Sequence, residues 1–176
     1  MPYLTESEVR DAFPHSAAPL KLSVYHRIEW WDEIILPVPL PAPIRLTFTD
    51  TIRNTMPVNI RNGKGLYFFF LEPEHPINLN ISQLVYIGRV LGGALDNHNF
   101  YLRFREYVNA IGNRAVKRNT MRMTNLWPNK TYVYFFELNH FTDAQIVVYE
   151  DLLIQKIVPA LNEKLSGIAR QTRLLH

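Results

Sequence analysis

The chain has 176 residues, 47% of them hydrophobic, a formal net charge of +3 and no cysteine. That length suits one domain with a substantial core and is short for two, and the lack of cysteine removes disulfides and thiolate metal sites from consideration. The longest apolar run, residues 34–44, is broken by Pro37, Pro39, Pro41 and Pro43 and is unable to cross a bilayer, so no membrane partner is expected.

Residues 1–13 carry Glu6, Glu8 and Asp11 without an apolar run, which does not read as a signal peptide, and a cytoplasmic protein is expected. Thr5 as N-cap with Glu8 three positions on predicts a short helix that Pro14 ends. Residues 20–60 contain Trp30, Trp31 and the four alternating prolines, which hold the backbone extended and remove donors that a central strand needs. We therefore expect residues 1–62 to form a Pro-rich arm or edge laid on a core of residues 63–176, with a strand over 45–51. Trp30 and Trp31 fit packing of the arm better than base stacking.

After the turn at Asn62 and Gly63, residues 66–71 read as a buried strand and 84–87 as its partner across a loop with Pro73, Pro76 and Asn78. Residues 99–111 have Phe100, Phe104, Tyr107, Val108 and Ile111 at helical spacing, with Arg103 on the flank of that face. Residues 131–138 are a third strand, whose run of aromatic and β-branched residues is too continuous for a sheet with one wet face. The last element is a helix from Asp143 that places Ile146, Leu153, Ile154, Ile157 and Leu161 on one stripe. Glu150 falls inside that stripe. A carboxylate there needs a compensating cation or proton, which points to a cleft; the alternative places Glu150 on the solvated edge of the stripe.

Charge is unevenly spread. Residues 1–60 hold five basic and seven acidic side chains, whereas 61–176 hold fourteen and nine. Between Tyr101 and Lys130 lie Arg103, Arg105, Arg114, Lys117, Arg118, Arg122 and Lys130 against the single acid Glu106, a distribution that attracts a polyanion unless it is merely a solvated face. The six histidines lack metal-ligand spacing, and no Walker-type glycine loop supports a nucleotide cofactor.

Gly65-Leu66-Tyr67, Tyr86-Ile87-Gly88, Arg103, Glu150 and the helix end Pro159-Ala160-Leu161-Asn162 occur in an order that resembles the GIY-YIG nuclease family, over about residues 63–167. Tyr67 to Tyr86 is 19 positions and Tyr86 to Arg103 is 17, which implies insertions in two loops; Glu150 to Asn162 is 12, which fits without adjustment. Where some members carry a histidine one turn after the arginine, this chain has Tyr107.

The resemblance implies an α/β (α+β) fold with a small three-stranded antiparallel-type sheet flanked by helices, and a basic insert at about 112–130. It implies a metal-dependent DNA endonuclease with Tyr67, Tyr86, Arg103, Glu150 and Asn162 as catalytic residues. Glu150 would hold one Mg2+ or Mn2+, Arg103 would clamp the scissile phosphate, Tyr67 would act as base with Tyr86 positioning, and Asn162 would tie the helix end to backbone. Arg105 competes with Arg103 for the clamp. Lys64, Arg89, Arg105, Arg114, Lys117, Arg118, Arg122 and Lys130 are the candidate DNA contacts, although for Lys64 or Arg89 taken alone an ordinary exposed turn charge is the better account. A restriction-like enzyme acting as a homodimer fits best; the alternatives are a repair or mobile-element nuclease, a binding module that has lost cleavage, and a protein-interaction domain using the Pro-rich arm.

Overall fold

The computed structural model describes residues 38–72, 82–92, 99–113, 115–125, 127, 129–157 and 159–162, with Tyr3, Ser7, Glu8 and Asp11. Most of the helix expected over 5–13, and Trp30, Trp31 and Pro37, lie outside the described residues. The elements in chain order are β1 (Ile44–Thr47), α1 (Ile52–Thr55), α2 (Val58–Arg61), β2 (Gly65–Leu71), β3 (Gln83–Val90), α3 (Phe100–Asn109), α4 (Arg118–Asn125), β4 (Thr131–Glu137) and α5 (Asp143–Ile157). Among the described residues no helix is long and apolar enough to cross a membrane.

The architecture is mixed α/β around one antiparallel sheet, and that sheet has four strands rather than three, in the order β1-β4-β2-β3. The additional strand is the one expected from the arm. It runs from Ile44 to Thr47 and pairs with β4, which otherwise has a bare edge. It stops short of Thr51 because the Thr49 carbonyl accepts the Ile52 N–H and the chain turns into α1. Pro39, Pro41 and Pro43 lie just before it, where the missing N–H groups cost no sheet bonds.

Both faces of the sheet are covered, which accounts for the unbroken apolar runs of β2 and β4. One face presents Tyr67, Phe69, Leu71, Val133 and Phe135 to Phe100, Phe104 and Tyr107 of α3 and to Ile52, Met56 and Ile60 from the α1–α2 region. The opposite face presents Leu66, Phe68 and Ile87 to Ile146, Tyr149, Leu153 and Ile154 of α5. Each large side chain taken fully out of water here contributes roughly 1.5–3 kcal/mol. The segment before β1 is pinned to α5, with the Tyr149 hydroxyl accepting from the Val38 N–H at 2.8 Å and donating to the Val38 carbonyl at 3.1 Å.

Local signals set the helix starts. The Asn99 side chain accepts from the Leu102 N–H at 2.9 Å and caps α3. Thr142 and Gln145 form a reciprocal capping box at α5: the Gln145 side chain accepts from the Thr142 N–H at 2.8 Å, and the Thr142 hydroxyl accepts from the Gln145 N–H at 3.3 Å.

Gly65, which opens β2, has φ +146°, and a Cβ there would lie 2.1 Å from the Phe136 carbonyl oxygen and 2.9 Å from the Leu138 nitrogen. Neither backbone atom can yield without breaking the β2–β4 ladder. Gly65→Ala is expected to destabilise the fold by about 3 kcal/mol, read as a lowered urea midpoint with unchanged slope.

Candidate active site

β3 is an edge strand, so its outer backbone groups need partners from beyond the sheet. They find them after α5. The Asn162 side-chain oxygen accepts the Ile87 N–H at 2.9 Å, its amide nitrogen donates to the Ile87 carbonyl at 2.7 Å, and the Leu161 N–H donates to the Val85 carbonyl at 2.8 Å. One carboxamide thus imitates a neighbouring strand for one residue and fixes the end of α5 against β3. The amide-to-backbone role expected for Asn162 is what this geometry performs, and it makes Asn162 a positioning residue.

Around that edge opens a cleft of about 830 Å3, lined among others by Tyr67, Tyr86, Arg103, Glu150 and Asn162. The chain reaches it from both faces of the sheet. Tyr67 and Tyr86 lie on the α3 face; a register irregularity between Phe69 and Phe70 pairs Phe69 with Tyr86 and Phe70 with Leu84, leaving Val85 as an extra residue. Glu150 approaches from the α5 face, to which Ile87 also belongs.

Tyr67 is fully buried. Its hydroxyl bonds to the Tyr107 hydroxyl at 2.9 Å and accepts from Arg103 Nε at 3.1 Å. Its ring end lies over Gly88, where a Cβ would come within 2.4 Å of the phenol carbon and oxygen, so the glycine of Tyr86-Ile87-Gly88 makes room for the tyrosine of Gly65-Leu66-Tyr67. Burial, and next the neighbouring Tyr86, push the Tyr67 phenol well above its ordinary value; Arg103 only partly offsets this. A base poised for neutral pH is therefore not what Tyr67 offers in this state. Tyr86, half-buried on the wall with its ring centroid 6.2 Å from that of Tyr67, is the more accessible phenol.

Arg103 is held from two sides, by Tyr67 and by Glu106, whose carboxylate accepts from its terminal nitrogen at 2.7 Å. The phenol oxygen of Tyr67 first, and Tyr107 and Glu106 as well, keep its guanidinium protonated beyond the ordinary arginine range. Arg105 is exposed on α3, about 200° around the helix from Arg103 and away from the cleft lining. Of the two arginines, Arg103 lines the cleft and Arg105 does not.

Glu150 is only 9% exposed and sits on the buried stripe with Ile146, Leu153 and Ile154, so the solvated-edge alternative is set aside. Its compensating cation is Arg89, which engages Oε2 of Glu150 and lies 3.9 Å from Asp151. Burial raises the Glu150 carboxyl above the usual carboxylate range, against the opposing pull of Arg89. Sheet parity carries the signal for this pair: Arg89 follows Ile87 by two and shares its α5 face. Glu106 was legible too, three residues after Arg103 on one helix.

The basic insert reaches the site in part. Asn125 binds Gly112 and Ala110 backbone groups and folds α4 back on the end of α3. The Asn119 amide then donates to the Leu161 carbonyl at 2.9 Å, so α4 supplies Asn119, Thr120 and Met123 to the cleft wall. Lys117 is exposed at its rim. Arg122 is half-buried in the last turn of α4, and Lys130 lies in the turn before β4, its carbonyl bound by the Glu72 N–H. Arg114 and the side chain of Arg118 lie outside the described residues. Lys64 is ion-paired with Asp143 at 2.7 Å, a bond that occupies the ammonium expected to meet phosphate.

For a divalent ion the donor chemistry is hard oxygen. Among the described residues no group of three or more His, Cys, Asp or Glu side chains is placed to hold a metal. A lone carboxylate nonetheless fits an ion that retains most of its waters, and in this state Arg89 engages Oε2 of that carboxylate. Comparison with family models, curated proteins and solved structures gives no match for this chain.

The raised Glu150 carboxyl makes a pH prediction. The folded protein keeps this proton to higher pH than the unfolded chain, so stability declines as pH rises from the ordinary carboxylate value, about 4.3, through the raised folded value, and is level beyond it. Urea unfolding across that window should show wild type losing stability relative to Glu150→Gln as pH rises. Parallel curves would deny the burial of an ionisable Glu150.

Proposed function

We propose that this chain is a divalent-metal-dependent endonuclease of GIY-YIG-like architecture that hydrolyses phosphodiester bonds in DNA. The observation that supports the reading is convergence. Tyr67, Tyr86, Arg103, Glu150 and Asn162, spread over 95 positions, line one cleft whose remaining wall includes Lys117 and the α4 segment of the basic insert.

Hydrolysis of a phosphodiester needs an oriented water and positive charge where oxygens become negative. Arg103, its Nε fixed by Tyr67, presents a planar guanidinium to phosphate oxygens. The ion held at Glu150 would supply Lewis acidity and a water of lowered pKa. Tyr86, the less buried phenol, orders that water or a phosphate oxygen, while Tyr67 and Tyr107 hold the arginine in line. Asn162 keeps the end of α5, and with it Glu150, in register with β3. Lys117 and other cations of the insert attract the backbone around the scissile bond. In this reading the enzyme is restriction-like and works as a homodimer, since one cleft serves one strand.

A second reading, a DNA-binding module without cleavage, draws on one observation: Arg89 and Arg103 are both ion-paired to cleft carboxylates.

The test is single-turnover cleavage of supercoiled plasmid with Mg2+. Glu150→Gln is expected to lower the rate by about 10³-fold or more while DNA affinity stays within a few-fold, because it removes charge stabilisation at the reacting centre and little ground-state binding. Substantial cleavage by that variant would exclude Glu150 from the mechanism, and a wild type inert with Mg2+ or Mn2+ would favour the binding module. Arg103→Lys keeps the charge and loses the planar fork, with an expected loss of about 10²-fold; Arg105→Lys is expected to be nearly silent. The reverse pattern would assign the clamp to Arg105.

A further inference from the structure

Among the described residues, the charged side chains lining the cleft are Arg89, Arg103 and Lys117 against Glu106, Glu150 and Asp151. They balance. A divalent ion entering alone would bring two positive charges beside a carboxylate already held by a guanidinium, and a phosphate entering alone would meet Glu150 and Asp151. Together the two ligands offset one another.

Arg89 is placed to mediate between them. It comes from the edge strand, its side chain 34% exposed against 12% for Glu150, with Asp151 at 3.9 Å on its outer side. Glu150 cannot leave, since its neighbours Ile146, Leu153 and Ile154 fix its turn of α5 in the core. Arg89 can. Moving outward costs it one carboxylate partner, which a phosphate oxygen replaces with another charge-assisted hydrogen bond.

Building on the proposed nuclease function, we infer that Arg89 is a displaceable counter-ion of Glu150: a DNA phosphate in the cleft draws Arg89 away and frees Glu150 for the divalent ion. In the DNA-free protein the guanidinium satisfies the buried carboxylate and excludes the metal. Metal and DNA therefore bind with positive coupling, each strengthening the other by the same factor. Arg89 acts here as a positioning residue, distinct from Arg103, which is anchored by Tyr67.

The test is Mn2+ affinity of the DNA-free protein, measured from the free-ion magnetic-resonance signal. Arg89→Gln keeps a hydrogen-bond donor for Glu150 and removes the charge, so it is the variant of choice over Arg89→Ala, which would leave the carboxylate alone in the core. The expected result is Mn2+ binding about tenfold tighter in Arg89→Gln than in wild type, restored to the wild-type value in Arg89→Lys and lost in Arg89→Gln with Glu150→Gln. A second arm measures duplex affinity by fluorescence anisotropy in Ca2+ and in EDTA. Ca2+ should strengthen DNA binding more in wild type than in Arg89→Gln, and general screening by the ion cancels in the comparison. If Arg89→Gln matches wild type in Mn2+ affinity while Glu150→Gln weakens it, the counter-ion role is overturned and Glu150 remains a metal ligand. If Glu150→Gln changes Mn2+ affinity in neither background, the metal assignment itself falls, and this inference with it.

Discussion

The unpaired edge of β3 is the constraint on which the cleft depends. A sheet covered on both faces by helices leaves an edge as the place where side chains from the two faces can meet, and an edge carries backbone donors and acceptors that must be satisfied. Asn162 meets both groups of Ile87 with one carboxamide, and the Leu161 N–H meets Val85. Because those bonds tie the segment after α5 to β3, they also set how far Glu150 stands from Arg89. A shorter side chain at 162 would leave two buried polar groups without partners and remove the tether together.

Within that frame the polar groups of the cleft hold one another. Tyr67 is buried on the α3 face and uses its hydroxyl to orient Arg103 and to meet Tyr107. Arg103 in turn reaches Glu106, and across the strand Arg89 holds Glu150. A buried tyrosine of raised pKa is poorly suited to take a proton and well suited to hold a guanidinium, since a neutral phenol offers an oxygen without demanding a counter-charge. The chemistry assigned to the two tyrosines is therefore decided by burial, which differs between them although both belong to matching tripeptides.

Glycine shapes the same site by what it lacks. Gly88 gives the Tyr67 ring a place to lie across β3, and Gly65 lets β2 begin against the Phe136 carbonyl. The glycines of Gly65-Leu66-Tyr67 and Tyr86-Ile87-Gly88 are thus explained by steric closeness within the sheet, independently of any ligand.

Much of the fold was legible along the chain. The helical stripe of α5 with Glu150 in it, the apolar face of α3, the strand pair of Tyr67 and Tyr86 and the third strand follow from period and turn residues, because those signals are local. Pro39, Pro41 and Pro43 precede the edge strand β1 and stand outside it, since proline lacks the donor that a strand uses. Other features depend on elements far apart in sequence. That β1 joins β4 to make a fourth strand is decided by which edge remained open, and that Lys64 spends its charge on Asp143 is decided by the packing of α5 beside β2. Sequence by itself determined which residues carry charge, hydroxyls and the freedom of glycine. Tertiary structure decided that the α5 face of β3 brings Arg89 onto Glu150 and that Tyr67 is dry while Tyr86 is partly wet, because ion pairing and desolvation depend on distances through space that no spacing along the chain specifies.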